Sequence, residues 1–148
     1  MKLIEIAGPL DIEWQSKLKV LHEDAFGQPM QESLAQHINK QVGLISFFSL
    51  KDNIPIGFKI GCINLNGRFC SWLGGVAKAN RRQGVARKLL QKQHSWCVAQ
   101  GYKVIETQTA GDNAAMLLLN VSEGYHIVGT VKGGDCSVVV SLRKALNQ

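Results

Sequence analysis

The chain has 148 residues, 45% hydrophobic and 19% charged, a globular composition long enough to bury a core without disulfide staples. Its 17 Lys and Arg against 11 Asp and Glu leave a formal net charge of +6, which suits an anionic ligand, a nucleic acid or an acidic membrane surface without choosing among them. No apolar run approaches the roughly 18 residues of a membrane span, and "MKLIEIAGPLDIEW" breaks its apolar run too early for a signal peptide, so a soluble cytoplasmic protein is expected.

There is no internal repeat, low-complexity segment or Pro/Gly/Ser linker, so residues 1–148 are expected to form one domain. "KLIEIAG" alternates like a short strand. Asp11 then stands as N-cap of a helix carrying Trp14, Leu18, Leu21 and Phe26, and a second helix runs through "MQESLAQHINKQ". "VGLISFFSLKDNIPIGFKIGCINLN" reads as two strands around a polar turn at Lys51–Asn53, and "RFCSWLGGVA" as a third after the Asn64–Arg68 turn, an antiparallel meander. From Arg82 the period changes. Val85, Leu89, Trp96 and Cys97 share a helical face, Gly101 caps it, and the strand "YKVIETQTA" follows by a parallel crossover. "DNAAMLLLNVSEGY" is a helix opening at Asp112 or Asn113, and "HIVGTVK" with "CSVVVSLRKAL" closes as a hairpin around Gly133–Gly134. The order is βααβββαβαββ. It predicts an α/β (α+β) fold, with a mixed, mostly antiparallel sheet of six to seven strands flanked by about four helices.

The most informative stretch is "GGVAKANRRQGVARKLLQK", which crowds Arg81, Arg82, Arg87 and Lys88 around a helix start. The helix dipole disfavours positive charge there by roughly 0.3–1 kcal/mol per residue. An anion bound to the free N–H groups of the first turn accounts for the crowding, with Gly84 letting it approach closely. A merely solvated basic face is the competing account. A P-loop needs GK followed by Ser or Thr and a Rossmann turn needs GxGxxG, and neither is present. A helix-turn-helix needs a helix just before the basic one, where "RFCSWLGGVA" reads as strand, so no nucleic-acid partner is expected.

"RRQGVA" resembles the Gln/Arg-x-x-Gly-x-Gly/Ala signature of the GNAT superfamily of N-acetyltransferases, with Arg81, Gly84 and Ala86 on the signature positions. "NAAMLLLNVSEGY" resembles the family's later Asn-x-x-Ala-x-x-Leu-Tyr-x-x-x-Gly-Phe helix through Asn113, Leu119, Gly124 and Tyr125. The element order resembles the family's fold over nearly the whole chain. The resemblance implies acetyl-coenzyme A as the anion. Its pyrophosphate would rest on the amides of Gln83, Gly84, Val85, Ala86 and Arg87, with Arg81, Arg82, Arg87 and Lys88 neutralising phosphates. Its pantetheine arm would pair like an extra strand with Val76 and Ala77, and Asn113 would border the cofactor. The implied reaction is direct acetyl transfer to a primary amine of a small molecule or protein. A non-catalytic acyl-coenzyme A sensor is the alternative, and a homodimer stays open. The acceptor is not legible, although the positive net charge disfavours a strongly cationic one.

One position departs from the family pattern. After Leu119, where a tyrosine commonly protonates the departing thiolate, stands Asn120, whose amide only donates hydrogen bonds near neutral pH. Tyr125 takes the family's aromatic packing position and Tyr102 precedes its strand. The resemblance therefore implies that Asn120 orients the cofactor sulfur while the thiolate takes its proton from the acceptor ammonium or water. Glu106, on the strand beside the expected cleft, either accepts the amine's proton or is a strand-edge charge facing solvent. Gly74 and Gly75 are read as a bulge that splays the sheet, in preference to a plain turn. The four histidines show no HExxH or short spacing to cysteine, so no metal is expected. Cys62, Cys70, Cys97 and Cys136 form no CxxC pair and read as reduced thiols, Cys62 facing Cys70 across a hairpin. Trp14, Trp72 and Trp96 are assigned to the core.

Overall fold

The structure is a computed structural model that describes residues 1–135 and 137–146, so the thiol of Cys136 lies outside the described residues. Its elements are β1 (Lys2–Ala7), α1 (Ile12–Phe26), α2 (Glu32–Asn39), β2 (Ile45–Lys51), β3 (Ile54–Ile63) and β4 (Phe69–Val76). After a 3₁₀ turn at Lys78–Asn80 come α3 (Val85–Ala99), β5 (Val104–Ala110), α4 (Ala114–Ser122), β6 (His126–Lys132) and β7 (Val138–Ala145). Apart from the 3₁₀ turn this is the order read from the sequence. Local chemistry sets the boundaries. The Asp11 carboxylate accepts the Trp14 amide at 2.8 Å to open α1, and Gly27 ends it with φ +73. Asn113 opens α4 by accepting the Met116 amide at 3.2 Å.

The strands form one seven-stranded sheet in the order β1-β2-β3-β4-β5-β7-β6. Every pairing is antiparallel except β4 with β5, which are joined by the α3 crossover. One face packs against α1 and α2 through Leu18, Leu21, Ile38, Phe48, Phe58 and Ile60. The other packs against α3 and α4 through Phe47, Phe69, Leu89, Leu90, Ile105 and Leu142. The tryptophans are half-buried and border these two cores. With both faces of the central strands covered, a polar side chain on β3 or β4 goes into the interior whichever way it points.

β4 pairs with β3 along its whole length, but with β5 only from Phe69 to Ser71. Beyond Ser71 the two parallel strands diverge and leave one edge of β4 without a strand partner. The bulge lies upstream of the glycines expected to form it. Ile60 pairs with Leu73 and Gly61 with Ser71, so the extra residue is Trp72, whereas Gly74 and Gly75 pair regularly with Lys59 and Phe58. The glycines answer to close packing. A Cβ on Gly75 would come within 3.2 Å of the Ala25 Cβ and the Phe26 ring, so α1 lies almost on the strand backbone.

Candidate active site

The divergence of β4 and β5 opens a cleft of about 790 Å³, within the range of small-molecule sites. Its walls are β4 from Ser71 to Val76, the loop and first turn of α3, β5 from Thr107 to Ala110, and one side of α4. Val76 and Ala77 stand where β4 runs out. The Ala77 amide is already bound to the Ile56 carbonyl at 2.8 Å, and Val76 pairs with Gly57. Among the described residues the other edge of β4 has no strand partner beyond Ser71 and faces the cleft, a template for an extended ligand chain, with only its Val76 carbonyl engaged, by Arg81 Nε at 3.4 Å.

At the cleft mouth, Arg82 (φ +63) and Gly84 (φ +80) both take the left-handed conformation. A non-glycine residue held there is strained. Gly84 is the N-cap of α3 and supplies no side-chain cap. The amides of Val85, Ala86 and Arg87 precede the first intrahelical bond, from Lys88 N–H to the Gly84 carbonyl at 3.0 Å, and so have no partner within the helix. A Cβ on Gly84 would meet nothing within 4 Å, so the cradle is open. Gln83 donates weakly to the Ala79 carbonyl at 3.5 Å.

The four cations divide into two groups. Arg81 is bound to the protein: its guanidinium donates to the Ala25 carbonyl at the end of α1, and its Nε to the Val76 carbonyl at 3.4 Å. Arg87 is bound likewise, with Nη1 at 2.7 Å from the Glu123 carboxylate and 3.2 Å from Ser122 Oγ, fastening α3 to the end of α4. The Gln91 amide, together with Arg87, overcomes burial and holds the Glu123 carboxyl below its ordinary range. Arg82 and Lys88 are exposed, and among the described residues neither side chain has a hydrogen-bond or ion-pair partner.

Two expected residues lie apart from the cleft wall. Cys70 and Glu106 are partners on the parallel strands, opposite in face to Phe69 and Ile105 of the helix-side core, so Glu106 points to the other side of the sheet. Its carboxylate accepts from Arg68 at 2.7 Å and Asn64 at 2.8 Å and lies 3.3 Å from Arg143. Burial raises its pKa, but these bonds and the two arginine charges outweigh it, leaving the carboxyl below its ordinary range, the reverse of what a general base needs. Asn120 is buried, its Nδ2 donating to Thr109 Oγ1 at 3.1 Å. Thr109 lines the cleft, so Asn120 reaches it at second hand.

Lys59, on β3, lines the cleft although no motif marks it. The signal available was its place in mid-strand between Gly57 and Gly61, on a strand covered on both sides. Behind the cleft His94 is buried. Its Nδ1 accepts from Lys144 at 3.1 Å and its Nε2 lies 3.2 Å from the Tyr125 hydroxyl. Burial, then the Lys144 and Lys59 charges, push His94 down to about 4 and outweigh Glu123. On the far face Cys62 and Cys70 are direct cross-strand partners. The Cys70 contact lowers Cys62 to about 7 against burial, and Cys70 is raised.

A strand edge beside an open helix N-terminus makes this an α/β protein with a cleft suited to an extended ligand that carries an anionic end. The model of the acetyltransferase (GNAT) family matches residues 10–132, and the chain belongs to that family. No curated protein matches the sequence. Among solved structures, the chain is similar to the ribosomal-protein-S18-alanine N-acetyltransferase from Escherichia coli, at 14% identity and TM-score 0.79, over 98% of this chain and 96% of that one. It is also similar to an aminoglycoside 6'-N-acetyltransferase complexed with coenzyme A, at 12% identity and TM-score 0.81, over 100% and 98%. A chain of the NatC complex bound to Gag peptide and CoA matches at 19% identity and TM-score 0.72, over 99% and 100%. Identities this low establish the fold alone. The family fold binds acetyl-coenzyme A.

Proposed function

We propose that the protein is an N-acetyltransferase that moves an acetyl group from acetyl-coenzyme A directly to a primary amine of a small molecule or protein. The observation that carries the reading is the cleft itself, where the β4 edge left without a strand partner leads from the first-turn amides of Val85, Ala86 and Arg87 toward the β4/β5 junction. When bound, acetyl-coenzyme A supplies the activated acyl group. The protein's part is to hold and place it. The amides of Gly84, Val85, Ala86 and Arg87 and the exposed cations Arg82 and Lys88 receive the pyrophosphate, with charge-assisted bonds stronger than neutral ones. The β4 edge down to Val76 pairs with the extended arm, Asn113 holds the start of α4 at the cleft rim, and Thr109, braced by Asn120, faces the interior. Arg81 supports this arrangement by joining α1 to the end of β4. Glu106 has no proton-transfer part, since its carboxylate is committed to Arg68 and Arg143 on the opposite face.

The test is thermal denaturation with and without acetyl-coenzyme A, followed by coenzyme A release over an amine panel. At about 100 times its dissociation constant the cofactor adds roughly 2.7 kcal/mol, which raises Tm by about 5–10 °C for a chain of this size. No shift at saturating cofactor overturns the reading. A shift with no turnover on any amine leaves a sensor of acyl-coenzyme A with the same fold.

A further inference from the structure

We propose that the Lys59 ammonium is the proton donor to the departing coenzyme A thiolate, taking the part that Asn120 cannot perform. The inference rests on the acetyl-coenzyme A reading of the cleft. It begins from a largely buried charged side chain that lines the cleft without a protein partner for its ammonium. Lys59 is 7% exposed, and among the described residues no hydrogen bond or ion pair is recorded for its ammonium. Buried charges are ordinarily paired, because desolvating an ammonium with no partner is costly. A position that keeps one has a use for it or a ligand that completes it.

Geometry says where that ligand lies. Lys59 is the cross-strand partner of Gly74, and both face the α3 and α4 side of the sheet. Because residue 74 has no side chain, the lysine bends over the β4 backbone, and its Nζ lies 3.6 Å from where a Gly74 Cβ would stand. Gly74 lies on the stretch of β4 beyond its pairing with β5, between the phosphate cradle and the β4/β5 junction. An arm paired with the β4 edge and entering from Gly84 passes Val76 first and then reaches Gly74. The ammonium therefore stands over the inner part of the arm, where the thioester lies, and away from the phosphates.

The chemistry fits this place. As the acceptor nitrogen bonds to the acetyl carbonyl carbon, the carbon–sulfur bond breaks and its electron pair goes to sulfur. An Nζ–H proton then passes to sulfur, giving the coenzyme A thiol and a neutral Lys59 amine. The acceptor nitrogen loses its extra proton to water, and water returns one to Lys59. Burial lowers Lys59 to about 8, so it holds its proton at neutral pH and releases it far more readily than an ordinary lysine. Among the described residues packed around it, none competes for this role. β2 presents Phe47, β4 presents Gly74 and β5 presents Thr107, none of them charged at neutral pH. On α3, His94 is neutral above about 4, and Arg87 is held by Glu123. Lys144 of β7 stands behind His94.

The experiment follows the thiol of bound coenzyme A by thiolate absorbance from neutral to alkaline pH, in the wild type and in Lys59→Met. An adjacent cation lowers the pH of ionisation below that of free coenzyme A by about one to three units in the wild type, and not in the variant. With an accepted amine, Lys59→Met lowers kcat by about 10²–10⁴-fold while the KM for acetyl-coenzyme A changes little. A bound thiol that ionises no earlier than the free one overturns the inference from the wild type alone, whether or not the variant folds. So does equal ionisation in both proteins. Acetylation of Lys59 by acetyl-coenzyme A without amine, seen by mass spectrometry, makes it an acceptor and also overturns the role. Failure to bind coenzyme A at all overturns the proposed function, and this inference with it.

Discussion

Arg81 donates its guanidinium to the main-chain carbonyl of Ala25, at the end of a helix 56 residues earlier, while its Nε reaches the Val76 carbonyl at the end of β4. The first arginine of the family signature thus fastens the cleft's rim, and its neighbour Arg82 carries exposed charge on strained backbone. The two should separate on mutation. Arg81→Met is expected to lose about 1 kcal/mol of stability, the scale of a charge-assisted bond to a partly solvated group. Arg82→Ala should stay within about 0.5 kcal/mol of wild type while its Kd for acetyl-coenzyme A rises about tenfold, or 1.4 kcal/mol. Denaturant midpoints and calorimetric titration read both. Arg82→Ala binding as tightly as wild type would remove Arg82 from the phosphate site.

At Gly84 backbone and ligand effects can be distinguished. A side chain there has open space but must adopt φ +80, so Gly84→Ala costs about 1–2 kcal/mol in strain and little in crowding. Gly84→Glu carries the same strain and adds a negative charge at the proposed pyrophosphate site. The alanine variant should melt a few degrees lower and still respond to acetyl-coenzyme A; the glutamate variant should fold and not respond. If both respond alike, the loop is not the phosphate site.

The order of elements was legible because its signals are local: hydrophobic period, Asp11 and Asn113 as caps, and turn residues between strands. The open first turn of α3 at Gly84 was legible because its motif is contiguous. The interior of the cleft was not. Alternation along "YKVIETQTA" separates Glu106 from Thr107 and Thr109, but only the assembled sheet shows which set faces α4. Glu106 faces Arg68 and Arg143, so the carboxylate expected beside the cleft lies on the other side. Lys59 reads as an ordinary polar position of an alternating strand until helices are found on both faces. The bulge was misplaced for a related reason. Glycines signal a close approach but do not say whether a bulge or packing requires it, and here α1 packs on Gly75 while the Lys59 side chain crosses Gly74.

Burial of two bases sets the pH dependence of stability. His94 has an ordinary pKa of 6.5 and about 4 in the fold, so between these values only the unfolded chain binds the proton. Its contribution is intact above 6.5 and is lost as the pH falls toward 4, by up to roughly 3 kcal/mol. Lys59 drops from 10.5 to about 8, so below 8 both states hold the proton and the cost of the buried charge is fully present. From 8 to 10.5 the unfolded chain binds more protons and stability rises, again by up to roughly 3 kcal/mol. Denaturation free energies against pH should show an acid limb missing from His94→Gln and an alkaline limb missing from Lys59→Met. Lys59→Met should also exceed wild type at neutral pH. An unchanged or lower stability for it there would mean that Lys59 has a counterion.

Asn120 tests whether position 120 acts on the reaction or on the frame. Its side-chain amide donates to Thr109 Oγ1 at 3.1 Å, its main-chain carbonyl accepts the Glu123 and Tyr125 amides at 3.1 and 3.0 Å, and it is 1% exposed. The side chain therefore couples α4 to β5 and bears on the cleft only through Thr109. Asn120→Ala should destabilise by about 1–3 kcal/mol, the cost of an unpartnered buried hydroxyl and a small void. Turnover should fall by one to two orders of magnitude, about 1.4–2.7 kcal/mol, with the pH profile unchanged because no proton is lost from the site. Asn120→Tyr restores the family's residue but must seat a ring where an amide is enclosed, at a cost of about 1–3 kcal/mol. If the ring turns into the cleft, its phenol can supply the proton, and in the double variant with Lys59→Met it should recover part of the lost turnover. A loss for Asn120→Ala as large as that for Lys59→Met, with an altered pH profile, would transfer the proton-donor role to the neighbourhood of Asn120.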